Sequence, residues 1–198
     1  QRSVGMFAFA VWDTVKQSLV LARDRMGEKP LFVARLPWAL AFASELRAFE
    51  GLPGWSYEVV PDAVASLLRF GYVTENLCIE RKVTRLLPAT TVQVGADDVA
   101  AGRQPGPADH YWRIEEEIER TPVPSSAAAA VDHLESLLKE SLEGQRVADV
   151  PLGSFLSGGI DSSVVTSVLQ HISAEPVRTF SIGFEEAEYD ESGYARAV

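Results

Sequence analysis

Residues 152–163 read Leu152-Gly153-Ser154-Phe155-Leu156-Ser157-Gly158-Gly159-Ile160-Asp161-Ser162-Ser163, and the reading of the whole chain turns on them. Leu152, Phe155 and Leu156 read as a short buried strand. Val164, Val165, Val168, Leu169 and Ile172 then recur at helical spacing, which gives the next segment an apolar face. A helix opening at Ser162 and Ser163 leaves backbone N–H groups unpaired, and its dipole favours an anion there. Gly158 and Gly159 have no Cβ and let a phosphate approach the main chain. Ser157, Ser162 and Ser163 add hydroxyl donors. Asp161 repels phosphate, so an acid at that position makes sense as a ligand for Mg²⁺ bridging the phosphates.

Rival motifs fail on the letters. The P-loop of ordinary NTPases needs a Lys after its last glycine, and none follows Gly158 or Gly159. The hydrolase nucleophile elbow needs G-x-S-x-G, but Phe155 stands at the first glycine position around Ser157. S-G-G-x-D-S fits instead, and it resembles the PP-loop of the N-type ATP pyrophosphatases. That resemblance implies ATP cleaved between its α and β phosphates and a substrate that becomes adenylated. The plainer alternative is a Gly-rich turn joining strand to helix; an acid and three serines in register argue against it.

The 198 residues carry 46% hydrophobic and 23% charged side chains, which suits a soluble globular protein of one large or two small domains. Gln1 is not a start methionine and Val198 comes soon after a strand, so the chain is expected to be an internal fragment. The formal net charge of −10 argues against a partner held by its nucleic-acid backbone. A single cysteine, Cys78, allows no internal disulfide and no Cys-based metal site, which fits a reducing cytosol. No apolar run reaches the roughly 18 residues of a membrane span.

Before the loop, Gly5 to Trp12 and Ser18 to Ala22 read as a β-hairpin. Arg23 to Leu31 forms a loop marked by Gly27 and Pro30. Phe32 to Ala34 and Ala39 to Ala43 form a second strand pair, and Ser44 to Phe49 one helical turn. Pro61-Asp62 opens a helix that Gly71 ends, with Val64, Leu67, Leu68 and Phe70 as its apolar face. Lys82-Val83 reads as a turn and Leu86 to Val94 as a strand. Asp97 to Pro107 needs only a turn or variable loop, and His110-Tyr111-Trp112 reads as a last short strand. Glu115, Glu116, Glu117 and Glu119 form a solvated acidic face. Thr121 to Ser125 is the best linker. A helix is expected from Ser126 to about Glu143, capped by Ser125 or Ser126 and ended by Gly144, with Val131, Leu134, Leu138 and Leu142 inward. Val177 to Phe184 reads as a second strand parallel to the first. The helix between them makes a βαβ unit with its ligand at the strand ends. Glu185 to Val198 begins a new loop and helix. His110, His133 and His171 do not cluster and carry no site.

Three separated pieces of the first part resemble the glutaminase domain of class II glutamine amidotransferases. They are Gly5-Met6-Phe7-Ala8-Phe9-Ala10, then Ala22-Arg23-Asp24 with Gly27 and Pro30-Leu31, then Phe42-Ala43-Ser44-Glu45. The bland reading of their roles is core strand, loop ion pair and helix start. The family's nucleophile, an N-terminal Cys, and its glutamine-binding residues lie upstream of these pieces. Cys78 is internal, lacks a free α-amino group beside it, and reads as a small packing residue.

A glutaminase-like part joined to the S-G-G-x-D-S loop resembles glutamine-hydrolysing asparagine synthetase. Asp149-Val150-Pro151, Phe184-Glu185, Tyr189-Asp190-Glu191 and Tyr194-Ala195 extend the likeness. It implies an α+β N-terminal-nucleophile glutaminase part with antiparallel sheets over residues 1–120, a linker over 121–125, and the start of an α/β PP-loop domain over 126–198. It implies a ligase using ATP and Mg²⁺, with aspartate and glutamine as substrates and a homodimeric full-length form as one option. By the same resemblance Ser157, Gly158, Gly159, Asp161, Ser162 and Ser163 match the pyrophosphate loop, with Asp161 on the metal, and Leu156 and Ile182 match positions that contact the adenine nucleotide. A β-lactam synthetase, a peptide-cyclising homologue or a non-catalytic nucleotide-binding module remain alternatives.

Overall fold

The structure is a computed structural model that describes residues 3–103, 105–186 and 188–198. The chain separates into two compact units, with the break between Thr121 and Pro122.

In order, the first unit holds β1 (Ala8–Asp13), β2 (Ser18–Arg23), β3 (Phe32–Arg35), β4 (Leu40–Ala43), a 3-10 turn (Leu46–Phe49), α1 (Pro61–Phe70), β5 (Val83–Arg85), β6 (Thr90–Gly95), α2 (Ala96–Ala100), β7 (Asp109–His110) and α3 (Ile114–Arg120). Two antiparallel sheets result, ordered β1-β2-β6-β7 and β4-β3-β5. The Asp13 carboxylate closes the β1–β2 turn by accepting the N–H groups of Val15 and Lys16, each at 2.9 Å. Alternation then sets the faces: Val92 and Val94 point in, while Gln93 points out. One core joins Leu21, Leu31, Leu86, Val92 and Val94, and another Phe32, Ala34, Phe49 and Val83. Each fully buried aliphatic side chain of this kind contributes about 1.5–3 kcal/mol. Cys78 packs against the second core as a half-buried free thiol.

Several expectations for this unit are corrected. The first strand starts at Ala8, not Gly5. Val83 belongs to a strand rather than a turn, and the following strand begins at Thr90 rather than Leu86. Between them Ala89 takes a left-handed φ of 55°, which no strand tolerates. Residues 96–100 form a short helix because the Asp98 carboxylate accepts the Gly95 N–H at its start. Helix α1 begins at Pro61 and ends at Gly71, whose φ of 78° suits glycine. It buries its small residues Ala63 and Ser66, however, and leaves Leu67, Leu68 and Phe70 exposed. Ser66 explains the choice: its hydroxyl donates to the Tyr72 carbonyl and accepts the Thr74 N–H, both at 3.2 Å.

Arg23 and Asp24 do not form the expected loop ion pair. Arg23 donates to the carbonyls of Lys29, Leu86 and Gly27. Asp24 is 1% exposed, and its carboxylate accepts the N–H groups of Phe7, Met26, Glu28 and Lys29. Burial pushes this carboxyl up, but the four donors outweigh it and hold it below the usual aspartate value.

The second unit runs α4 (Ala127–Gln145), β8 (Gly153–Phe155), α5 (Ile160–His171), β9 (Arg178–Phe180) and α6 (Ser192–Ala197). Strands β8 and β9 are parallel, Phe155 opposite Phe180, with α5 as the crossover. Ser126 caps α4 by accepting the Ala129 N–H at 3.2 Å, and the helix continues through Gly144 rather than stopping there. Leu138 and Leu142 are half-buried, but Val131 and Leu134 are exposed. Strand β9 covers only Arg178–Phe180, in the first half of the expected 177–184. Leu152 and Phe155 are exposed, whereas Ser154 and Leu156 are buried. Period-2 alternation turns Ser154 toward α5, where its hydroxyl meets that of Thr166 at 2.9 Å. Helix α5 likewise buries Thr166 and Leu169 and exposes Val164.

Candidate functional site

Helix α5 starts two residues earlier than expected, at Ile160, with Gly159 as its N-cap. The first intrahelical bond runs from the Ser163 N–H to the Gly159 carbonyl at 3.0 Å. The N–H groups of Ile160, Asp161 and Ser162 therefore have no helix carbonyl to reach. They lie where the helix dipole is positive.

The loop before them is braced by two serines. The Ser157 and Ser162 hydroxyl oxygens stand 3.0 Å apart. The Ser162 hydroxyl also accepts the Ser157 N–H at 3.3 Å and donates to the Gly159 carbonyl at 3.2 Å. The Gly159 N–H donates to the Ser157 hydroxyl at 3.3 Å. The Ser163 hydroxyl is buried with no hydrogen-bond partner.

The two glycines serve different ends. Gly158 takes a φ of +83°, and a Cβ there would lie 2.4 Å from the Tyr194 Cβ and 2.8 Å from the Ala195 nitrogen. Gly158 is thus fixed by the close approach of α6. A Cβ at Gly159 would meet only the Ser157 hydroxyl, at 3.4 Å. Space for a ligand at the main chain therefore belongs to Gly159.

Beside the loop lies a cavity of about 360 Å³, with Leu156, Ser157, Ser162 and Ile182 in its wall. The Leu156 N–H donates to the Phe180 carbonyl at 2.9 Å, and the Ser181 hydroxyl donates back to the Leu156 carbonyl, which fixes the two strand ends as one wall. Gly158, Gly159, Asp161 and Ser163 stand outside this wall. Phe155, Phe180, Ser181, Phe184, Tyr189 and Glu191 also line it and were not expected as site residues from the sequence. Their signal was there: Phe180, Ile182 and Phe184 alternate along the chain, as side chains on one face of an extended segment do.

Asp161 sits exposed in the first turn of α5. Asp190 is held below the usual aspartate value, first by the Ser192 N–H and then by the Ser192 hydroxyl. Among the described residues no group of three or more His, Cys, Asp or Glu side chains could hold a metal unaided. Mg²⁺ needs only one or two protein carboxylates when phosphate oxygens and water fill its other positions, so Asp161 fits that demand. Among the described residues no helix is long and apolar enough to cross a membrane.

Residues 1–112, more than half of the chain, match the family described as glutamine amidotransferase domain, and residues 133–198 match the one described as asparagine synthase. The chain belongs to the glutamine-hydrolysing asparagine synthetase family. It is 32% identical over 187 residues to asparagine synthetase [glutamine-hydrolyzing] 3 of Bacillus subtilis, covering 92% of this chain and 29% of that protein. It is 29% identical over 192 residues to asparagine synthetase [glutamine-hydrolyzing] 1 of the same organism, covering 97% of this chain and 28% of the other. Amidase chyE of Penicillium rubens is 27% identical over 209 residues, covering 97% of this chain and 29% of that protein. The chain thus spans less than a third of the length of these curated relatives.

Proposed function

We propose that this chain is part of an ATP-dependent ligase that makes asparagine from aspartate with glutamine as the ammonia donor. Residues 1–120 are then the later part of a class II glutaminase domain, 121–125 a linker, and 126–198 the start of a PP-loop domain. The observation that carries the reading is the loop itself: a glycine turn after a parallel strand, opening onto free helix amides beside an exposed acid and a cavity.

A carboxylate is a poor acyl donor because oxide leaves badly. In the proposed reaction an oxygen of the aspartate side chain attacks the α-phosphorus of ATP, pyrophosphate departs, and β-aspartyl-AMP forms. Ammonia then attacks the acyl carbon and AMP leaves. The Ile160, Asp161 and Ser162 N–H groups hold the departing pyrophosphate, and Gly159 lets it come close. The Ser157, Ser162 and Ser163 hydroxyls exchange their present surroundings for phosphate oxygens. Asp161 holds Mg²⁺, which when bound offsets the charge growing on the leaving group. Leu156 and Ile182 flank the adenine. Gly158 seats α6 rather than the nucleotide. A reducing cytoplasm suits a chain with one cysteine.

The likeness to a protein named as an amidase favours a second reading, in which the same two parts serve another amide, as in a β-lactam synthetase-like or peptide-cyclising homologue. Pyrophosphate release by the full-length polypeptide separates the readings. Release that needs both ATP and aspartate supports the first. Release with a different carboxylate in place of aspartate supports the second. No release with either leaves a nucleotide-binding module and sinks both.

A further inference from the structure

Helix α6 meets the candidate nucleotide loop through its backbone. A Cβ on Gly158 would collide with the Tyr194 Cβ and the Ala195 nitrogen, so these two residues press directly on the left-handed turn. A helix of six residues is too short to hold its own place, and its start must be fastened. Asp190 does this. Its carboxylate accepts the Ser192 N–H at 3.1 Å and the Ser192 hydroxyl at 3.0 Å. On its other side the same carboxylate faces the segment that follows β9. A Cβ on Gly183 would lie 3.7 Å from one of its oxygens, and the Phe184 N–H helps to hold it in the charged form. Gly183 stands between Ile182 and Phe184, and Asp190 between Tyr189 and Glu191. All four of these neighbours line the cavity beside the loop.

Both Asp190 oxygens are engaged by Ser192 and the charge repels phosphate, so this acid is not a nucleotide ligand. We propose that Asp190 is a positioning residue for the nucleotide loop: it fastens α6 to the Gly183–Phe184 backbone, and α6 in turn holds the turn at Gly158. The role rests on the nucleotide reading of that loop. The Ser181 hydroxyl secures the loop's other end by donating to the Leu156 carbonyl. Held at both ends, the loop presents its amides to phosphate without first rearranging, which is what gives preorganised donors their value.

The test is steady-state pyrophosphate release by the full-length polypeptide, with ATP varied and aspartate saturating, beside hydrogen exchange without nucleotide. A loosened loop loses grip on ATP alike in the ground and transition states, which raises KM and spares kcat. Asp190→Ala is expected to raise KM for ATP about tenfold or more, with kcat within roughly threefold of wild type. Exchange over residues 156–163 should quicken about tenfold while that of α4 stays unchanged. Asp190→Asn keeps an acceptor for the Ser192 N–H and should recover most of the lost affinity. A cap that only stabilises α6 predicts instead less active protein, hence a lower kcat at unchanged KM, and that outcome overturns the proposal. Unchanged exchange over 156–163 overturns it too. No release from the wild type sinks the nucleotide reading and the proposal with it, whereas an active wild type with an indifferent Asp190→Ala sinks the proposal alone. If Asp190→Ala does not fold, Asp190→Glu decides: it keeps the charge and displaces the carboxylate, and wild-type KM in that variant refutes the role.

Discussion

The two units treat the same residue type in opposite ways. In the first, Asp24 is buried and its carboxylate is taken up by four backbone N–H groups, one from Phe7 just ahead of β1 and three from the loop after β2. In the second, Asp161 is exposed at the start of a helix whose first amides are equally unclaimed. Glu80 repeats the first pattern: it is 1% exposed and accepts the N–H groups of Glu58 and Lys82. An acid surrounded by its own backbone holds a fold; an acid left over beside unfilled donors is available to a ligand. The apolar residues divide less sharply, since the first unit also exposes Leu67, Leu68 and Phe70 and the second also buries Leu156 and Leu169. Leu21, Val94 and Phe49 are sealed in the first unit, while Phe155, Phe180 and Ile182 stay exposed in the second, at the edge of the candidate nucleotide cavity.

Breaking the contrast from the structural side gives the largest expected effect. Asp24→Ala leaves four N–H groups without their acceptor, at about 1–3 kcal/mol for each that stays buried. A loss of roughly 3 kcal/mol or more is expected in urea unfolding, with pyrophosphate release per folded molecule unchanged. The pH dependence carries a sign. The native Asp24 carboxyl titrates below the ordinary value of about 3.9. Its contribution is therefore fully present above about pH 4 and is lost as pH falls through the lowered native value. Asp24→Asn should flatten that acid limb; an unchanged limb would place the titrating group elsewhere.

From the functional side, Asp161→Asn should lower ATP-dependent pyrophosphate release by roughly 100-fold or more in the full-length polypeptide. The melting temperature should move little, because among the described residues no hydrogen bond or ion pair uses this side chain and its helix-dipole contribution is only about 0.3–1 kcal/mol. Gly158→Ala joins the two roles. Its positive φ and the 2.4 Å approach to Tyr194 make a destabilisation of about 2 kcal/mol the expected result, readable in urea unfolding. Ser126→Ala should remove about 1 kcal/mol through the lost cap of α4, seen in the same measurement. Cys78→Ser is the smallest change: glutaminase activity of the full-length polypeptide should stay near wild type, and its loss would contradict a packing role.

The order of elements was readable because punctuation was strong: Pro61 and Gly71 bound α1, Ser126 caps α4, and the serines and glycines of residues 157–163 mark a strand-to-helix turn. Faces and boundaries were less readable. Nothing local says that Ala63 and Ser66 rather than Leu67 and Leu68 meet the first core, because that depends on the Tyr72 and Thr74 backbone reaching the Ser66 hydroxyl. Nothing local says that Ala89 turns left-handed and delays β6. At the candidate site the loop's letters marked the strand-to-helix turn but placed the helix start at Ser162, two residues after the observed start at Ile160. The separate duties of Gly158 and Gly159 depend on α6, more than thirty residues away in sequence, and a motif does not carry that information.

The most direct measurement is a crystal structure of the full-length polypeptide with Mg²⁺ and a non-hydrolysable ATP analogue. The expected result is a triphosphate within hydrogen-bond reach of the Ile160 to Ser162 amides, Mg²⁺ on Asp161, and adenine between Leu156 and Ile182. Nucleotide bound at another place, with the Ser157–Ser162 contact still closed, would contradict the account.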